Sequence, residues 1–135
     1  MGCDIHVYTE KKDDKGTWKS IPKLSVFQDR NYNVFNFFAG VRKYDDIEPI
    51  ALPRGIPKDV SSTARSSFKR WGMDAHTPSW LSLEELMAFN YDKKVYGDSS
   101  PRQGTYRDFL EEDFFNDLEK MKEKGVERIV FWFDN

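Results

Sequence analysis

Apolar and polar residues alternate along the first positions, MGCDIHVYTE, and alternate residues of an extended strand face opposite ways. Cys3, Ile5 and Val7 share one face of the predicted strand, and Asp4, His6 and Tyr8 the other. KKDDKG (11–16) is a polar turn closed by a glycine, and TWKSI (17–21) is a short return strand, so the chain opens with an edge hairpin. In NYNVFNFFAGVRK (31–43), Val34, Phe35, Phe38 and Val41 or Arg42 recur at helical intervals. Asn31 or Asn33 caps the start, and Gly40 weakens the helix slightly. YDDIEPIALPRGIP (44–57), with its prolines and glycine, reads as a long loop. A modest helix follows over VSSTARSSFKRWG (60–72) and stops at Gly72, and GMDAHTPSW (72–80) reads as a loop.

WLSLEELMAF has the clearest helix start in the chain. Ser82 and Glu85 form a capping box, and Leu81 and Leu86 take the hydrophobic-staple positions. Residues 90–104 read as a second loop. The segment 105–124 is strongly amphipathic, with a stripe of Tyr106, Leu110, Phe114, Leu118 and Met121 and a lysine-rich last turn before Gly125. ERIVFWFDN (127–135) is a closing strand with Ile129, Phe131 and Phe133 on one face and Arg128, Val130, Trp132 and Asp134 on the other. Strands at both ends and helices between predict an α+β domain over 1–135. Its small antiparallel sheet contains the N- and C-terminal strands and packs against several helices on one face. If the terminal strands pair, Trp132 stands beside His6.

Composition narrows the function classes. A chain of 135 residues is one domain that buries roughly two-thirds of its unfolded surface without staples. Net charge is −2 with both signs intermixed, which argues against a partner that needs a concentrated basic field, such as an extended nucleic acid or a membrane surface. The expected setting is cytoplasmic. The single cysteine, Cys3, permits no internal disulfide, residues 1–20 lack an apolar leader core, and no apolar run approaches the ~20 residues that span a bilayer. Most of the 11 Phe and 4 Trp are expected in the core, and the remainder line a pocket or an oligomer interface.

Two patterns echo each other, Asp4-Ile5-His6 and Asp74-Ala75-His76, and they hold both histidines of the chain. Asp and His two apart on a strand share a side, which suits a common metal (Zn²⁺ or Mn²⁺ on Asp4, His6, Asp74 and His76) or an imidazole oriented by a carboxylate. Alternation turns Cys3 away from such a site and makes it a buried thiol. Arginine is the second theme. Arg30, Arg42, Arg54, Arg65 and Arg70 are spread along the central segments, and PRG pre-organises Arg54 for a bidentate grip on phosphate or carboxylate. Ser79 and Trp80 lie close to His76. Each of these residues also has a plain alternative: a half-exposed histidine, a turn aspartate, an arginine paired internally, a core tryptophan. The chain contains no Walker or dinucleotide glycine loop, zinc-finger spacing, His-Glu-x-x-His or Gly-x-Ser-x-Gly. It also lacks the His-x-Thr/Ser pair of two-histidine phosphoesterases and the later motifs of metallophosphoesterases.

MGCDIH (1–6), RNYNVFNFFAGVR (30–42), PRGIPKDVS (53–61) and WGMDAHTPSWLSLEEL (71–86) together resemble a family of uncharacterised bacteriophage and bacterial proteins. Its pattern is MGCDIH, RNY-x-x-F before an Ala-x-Val-Arg helix, PRG-x-P-x-DVS and WG-x-D-x-H-x-x-SWL. The resemblance covers the first two-thirds of the chain and stops before the long helix and closing strand. It implies one polar pocket built from Asp4, His6, Arg30, Asn31, Arg42, Arg54, Asp74, His76 and Ser79, with Tyr32 and Trp80 as stacking rings. The leading expectation is a module that binds a small anionic, nucleotide-like molecule, in a phage setting a counter-defence protein sequestering a host signalling nucleotide in the host cytoplasm. The alternatives are a metal- or His-dependent hydrolase or phosphodiesterase with His6 and His76 as acid and base, and a protein-binding inhibitor or structural phage component presenting Phe131-Trp132-Phe133.

Overall fold

The computed structural model describes residues 2–42 and 47–135. Its centre is a four-stranded antiparallel sheet of β1 (Asp4–Lys12), β2 (Trp18–Ser20), β3 (His76–Ser82) and β4 (Arg128–Asp134), in the order β2-β1-β4-β3. The helices are α1 (Tyr32–Ala39), α2 (Ser62–Trp71), α3 (Leu83–Ala88) and α4 (Tyr106–Glu123), with a 3-10 turn at Gly72–Asp74. The expected α+β class, opening hairpin and pairing of the two terminal strands are all present, and Trp132 stands opposite His6 in the ladder.

The expected helix starts have the expected caps. Asn31 Oδ1 accepts from the backbone N–H groups of Asn33 and Val34, and Ser82 and Glu85 close the capping box. Gly40 does more than weaken α1. It ends the helix in the left-handed region (φ 70°), where a side chain is costly, so Val41 and Arg42 lie beyond α1 rather than on its stripe. The last residue of the predicted helix, 43, and residues 44–46 of the predicted loop lie outside the described residues.

Two other differences matter for the site. The expected loop 72–80 is mostly strand. Its last residues, from His76 onward, pair with β4, and a register shift between His76 and Ser79 absorbs Thr77 and Pro78. The sheet is also covered on both faces. One face packs on α1, α3 and α4 through Phe35–Phe133 and Phe38–Phe131 ring contacts at 5.1 and 5.2 Å. The other carries α2, where Phe68 meets Trp132 edge-on at 5.2 Å and Val60 and Ala64 close over Val130. β4 is therefore buried on both sides, which explains its near-continuous apolar run. Phe131, Trp132 and Phe133 are fully buried and present no surface patch. The α4 stripe is buried as expected, but the helix is kinked at Glu111 (φ 66°), and glutamate is too good a helix former to announce a kink. Among the described residues no helix is long and apolar enough to cross a membrane.

Candidate functional site

α2 lies along the second face of the sheet and leaves a polar region at each of its ends. Its C-terminal residue, Trp71, packs on His6 with ring centroids 4.2 Å apart and the planes tilted by 38°. Its N-cap, Ser61, donates its backbone N–H to Glu10 at 2.9 Å. His6 and Glu10 are both on β1, so the two regions mark the two ends of the β1–β4 ladder.

At the first end, antiparallel pairing sets Asp4 directly against Asp134, an unfavourable pair of like charges. Each carboxylate has a partner of its own. The Arg30 guanidinium grips Asp4 with two bonds of 2.9 and 3.0 Å and holds its carboxyl below the usual range, while His6 Nε2 bonds Asp134. Gly2 makes room for Arg30, since a Cβ there would lie 1.9 Å from the guanidinium. Cys3 is buried, which pushes its thiol pKa up against the opposing pull of Arg42, and its backbone N–H donates to the Tyr32 hydroxyl at 3.1 Å. Arg42 lies over the Tyr32 ring at 5.4 Å. The start of β1 is thus held by Arg30 and Tyr32 of the RNY segment, with Arg42 packed on Tyr32.

The histidines reach the same end of the sheet from opposite faces. His6 opposes Trp132, on the α2 face, whereas His76 opposes Phe133 and lies 6.0 Å from its ring. Their partners are consecutive residues. Asp134 takes His6, and the Asn135 Oδ1 takes His76 Nε2, with His76 Nδ1 also 3.0 Å from the Thr77 hydroxyl. The expected orienting carboxylates, Asp4 and Asp74, do not serve. Asp4 is held by Arg30, and Asp74 sits exposed in the 3-10 turn with no hydrogen bond among the described residues. The expected metal set of Asp4, His6, Asp74 and His76 is not brought together for the same reason, and no three His, Cys, Asp or Glu side chains among the described residues are grouped to hold a metal. Both nitrogens of His76 are engaged, and among the described residues His6 Nδ1 is the imidazole nitrogen of the pair with no hydrogen-bond partner.

Ser79 and Trp80 lie further along β3, and Arg54 reaches them from the loop 53–56. Arg54 donates its backbone N–H to the buried Ser79 hydroxyl (2.9 Å), and its guanidinium makes two bonds to Glu85 (2.6 and 2.7 Å) and one to the Trp80 carbonyl (3.0 Å). It lies 4.5 Å above the Trp80 ring. Burial raises the Glu85 carboxyl, but Arg54 and the Ser82 N–H more than offset this and hold it below its ordinary value. The fork that suggested a phosphate grip therefore holds the loop 53–56 to α3. Asn31 is spent as the α1 cap.

The other end of the ladder contains residues that the sequence did not single out. Glu10, fully buried, accepts from Arg128 Nε at 2.7 Å and from Ser61 N at 2.9 Å. Arg128, also buried, reaches Asp59 Oδ1 at 3.0 Å and lies 3.7 Å beneath the Trp18 ring, whose Nε1 donates to Asp59 Oδ2 at 3.0 Å. Burial raises the Asp59 carboxyl, and Arg128 and Trp18 bring it below its ordinary value. One signal was available. The register that sets Trp132 against His6 also sets Arg128 against Glu10, on a face otherwise carrying Tyr8, Val130 and Trp132. Beside this network opens a cleft of about 480 Å³ bordered by Trp18, Trp80, Lys12 and Lys58. Comparisons of the chain with protein-family models, curated proteins and solved structures return no match, so what it can do rests on this geometry.

Proposed function

We propose that the protein is a binding module for a small anionic, nucleotide-like molecule, taken up at the end of the sheet where His6 and Trp71 meet. The observation that supports this reading is convergence. Asp4 and His6 of β1, Arg30, Trp71 at the end of α2 and Asp134 at the end of β4 meet at one end of the sheet, on the α2 side. Asp4 and Asp134 each have a cationic or imidazole partner, and Lys69 and Arg70 in the last turn of α2 outnumber the exposed Asp74 of the turn that follows, so the balance of charge there suits an anion. Trp71 is only partly buried and supplies a stacking surface, and the half-exposed Arg30 supplies donors. In a phage setting such a module would hold a host signalling nucleotide without changing it.

A hydrolase is the second reading, supported by the Asp134–His6 pair. A carboxylate on Nε2 fixes the tautomer that leaves Nδ1 as a base. The two readings separate in one experiment. Protein is incubated with a nucleotide panel, ligand is recovered and analysed, and binding is followed through the Trp71 indole signal. Binding predicts intact ligand and a Trp71 shift that His6→Ala weakens. Turnover abolished by His6→Ala establishes the hydrolase instead, and a panel that leaves Trp71 unmoved overturns both.

A further inference from the structure

We infer that the cleft between β2, β3 and the loop 57–59 is a second binding site, for a small anion carrying a planar ring. It lies at the opposite end of the ladder from His6. Six ladder steps separate the Asp4–Asp134 pair from the Glu10–Arg128 pair, about 20 Å at the rise of a strand. Its volume, about 480 Å³, is in the range of small-molecule sites.

Two of its walls are indole rings held in place by their neighbours. Trp18 is pinned by its Nε1 bond to Asp59 and by the Arg128 guanidinium against its ring. Trp80 is pinned by Arg54, which Glu85 fixes with two bonds. Two indoles held in place before a ligand arrives lose little freedom when it binds, which is how such a surface gains affinity for a flat ring.

Charge then selects the ligand. Arg128 is consumed by Glu10 and Asp59, and Asp59 by Arg128 and Trp18. Among the described residues Lys12 and Lys58 make no ion pair with a carboxylate. Both are exposed at the rim, with the Lys12 ammonium 5.2 Å from the Trp18 ring. Glu127 is the remaining rim carboxylate, and one of its oxygens already accepts the Lys12 backbone N–H at 3.2 Å. Two ammonium groups that pair with no carboxylate among the described residues, beside two fixed rings, suit an anionic group attached to a ring. By contrast, the similarly sized hollow beside β2, bordered by Val7, Tyr8, Ile21, Pro22 and Leu24, has Lys23 as its one charged residue.

The four tryptophans make the test direct, because each occupies a different environment: Trp18 and Trp80 in the cleft, Trp71 at the far end, Trp132 in the core. Uniformly ¹⁵N-labelled full chain is titrated with AMP, with adenosine and inorganic phosphate as part-probes, and the four indole N–H signals are followed. The expected result is that AMP moves Trp18 and Trp80 and binds more tightly than either part. Lys12→Ala and Lys58→Ala should each weaken it about tenfold, with Trp132 unmoved as the check that the fold is intact. Trp18 and Trp80 signals that stay put as AMP reaches millimolar concentration overturn the site, as does an affinity indifferent to both lysines. Movement of Trp71 alone sustains the site at His6 and overturns this one, so the two proposals fail separately.

Discussion

Replacing Glu10 by Met removes one partner of a buried ion pair and leaves the other in place. The side chains of Glu10 and Arg128 are 0% and 5% exposed, and the carboxylate also satisfies the buried backbone N–H of Ser61 at the start of α2. Breaking a buried pair by deleting one partner costs about 3–5 kcal/mol, because the remaining charge stays desolvated. After Glu10→Met, Arg128 keeps its 3.0 Å bond to Asp59, which puts the loss near the lower end, whereas Arg128→Met leaves the Glu10 carboxylate with the Ser61 N–H alone and is expected to cost more. For a domain of this size either loss lowers the melting temperature by roughly 10–20 °C. The double variant, with two apolar side chains of comparable length facing each other, is expected to be more stable than either single variant. Urea unfolding of all four proteins followed by circular dichroism at neutral pH gives the cycle. Single variants within about 1 kcal/mol of the parent, or a double variant whose loss equals the sum of the singles, would refute the view that this pair is a coupled, buried anchor for α2.

Other expectations follow from the same contacts. Tyr8→Phe deletes the 2.6 Å bond from the Tyr8 hydroxyl to Ser67 and should cost about 1 kcal/mol in urea unfolding, with α2 amides exchanging faster than those of α4. Gly40→Ala puts a Cβ at φ 70° and should destabilise by about 1 kcal/mol, whereas the same change in a residue of ordinary helical φ would not. Because Glu85 is held below its ordinary value of 4.5, its contribution is complete above that pH and is lost as pH falls through the lower folded value. Comparing the parent with Glu85→Gln in urea from pH 7 downward, the stability gap should close in acid; a gap that widens would reverse the assignment. Gly2→Ala should displace Arg30 and free Asp4, seen as a rise in the Asp4 carboxyl titration by NMR.

Much of the architecture was readable from local patterns. Alternation in MGCDIHV, capping at Ser82–Glu85 and the stripe of residues 106–121 are short-range consequences of side-chain geometry, and all three are present. The stretch 72–80 misled because Gly72, Pro78 and two small polar residues are loop-like locally. Pairing with β4 supplies the backbone partners that make His76–Ser82 a strand, and those partners are some fifty residues away in sequence. The second layer was hidden too, since α2 is weakly apolar and its burial depends on Val130, Trp132 and Tyr8 being presented to it by β4 and β1.

For the candidate site the division follows the same line. The residue types that matter, Asp, His and Arg in short motifs, stand out in the chain by themselves, and so does the register that brings Trp132 to His6. Which of them would be left open to a ligand was decided only by the fold. A guanidinium or carboxylate takes the nearest opposite charge that does not require desolvation without compensation. Thus Arg30 went to Asp4, Arg54 to Glu85 and Arg128 to Glu10, and the ammonium groups of Lys12 and Lys58, unremarkable in sequence, remained at the rim of the cleft.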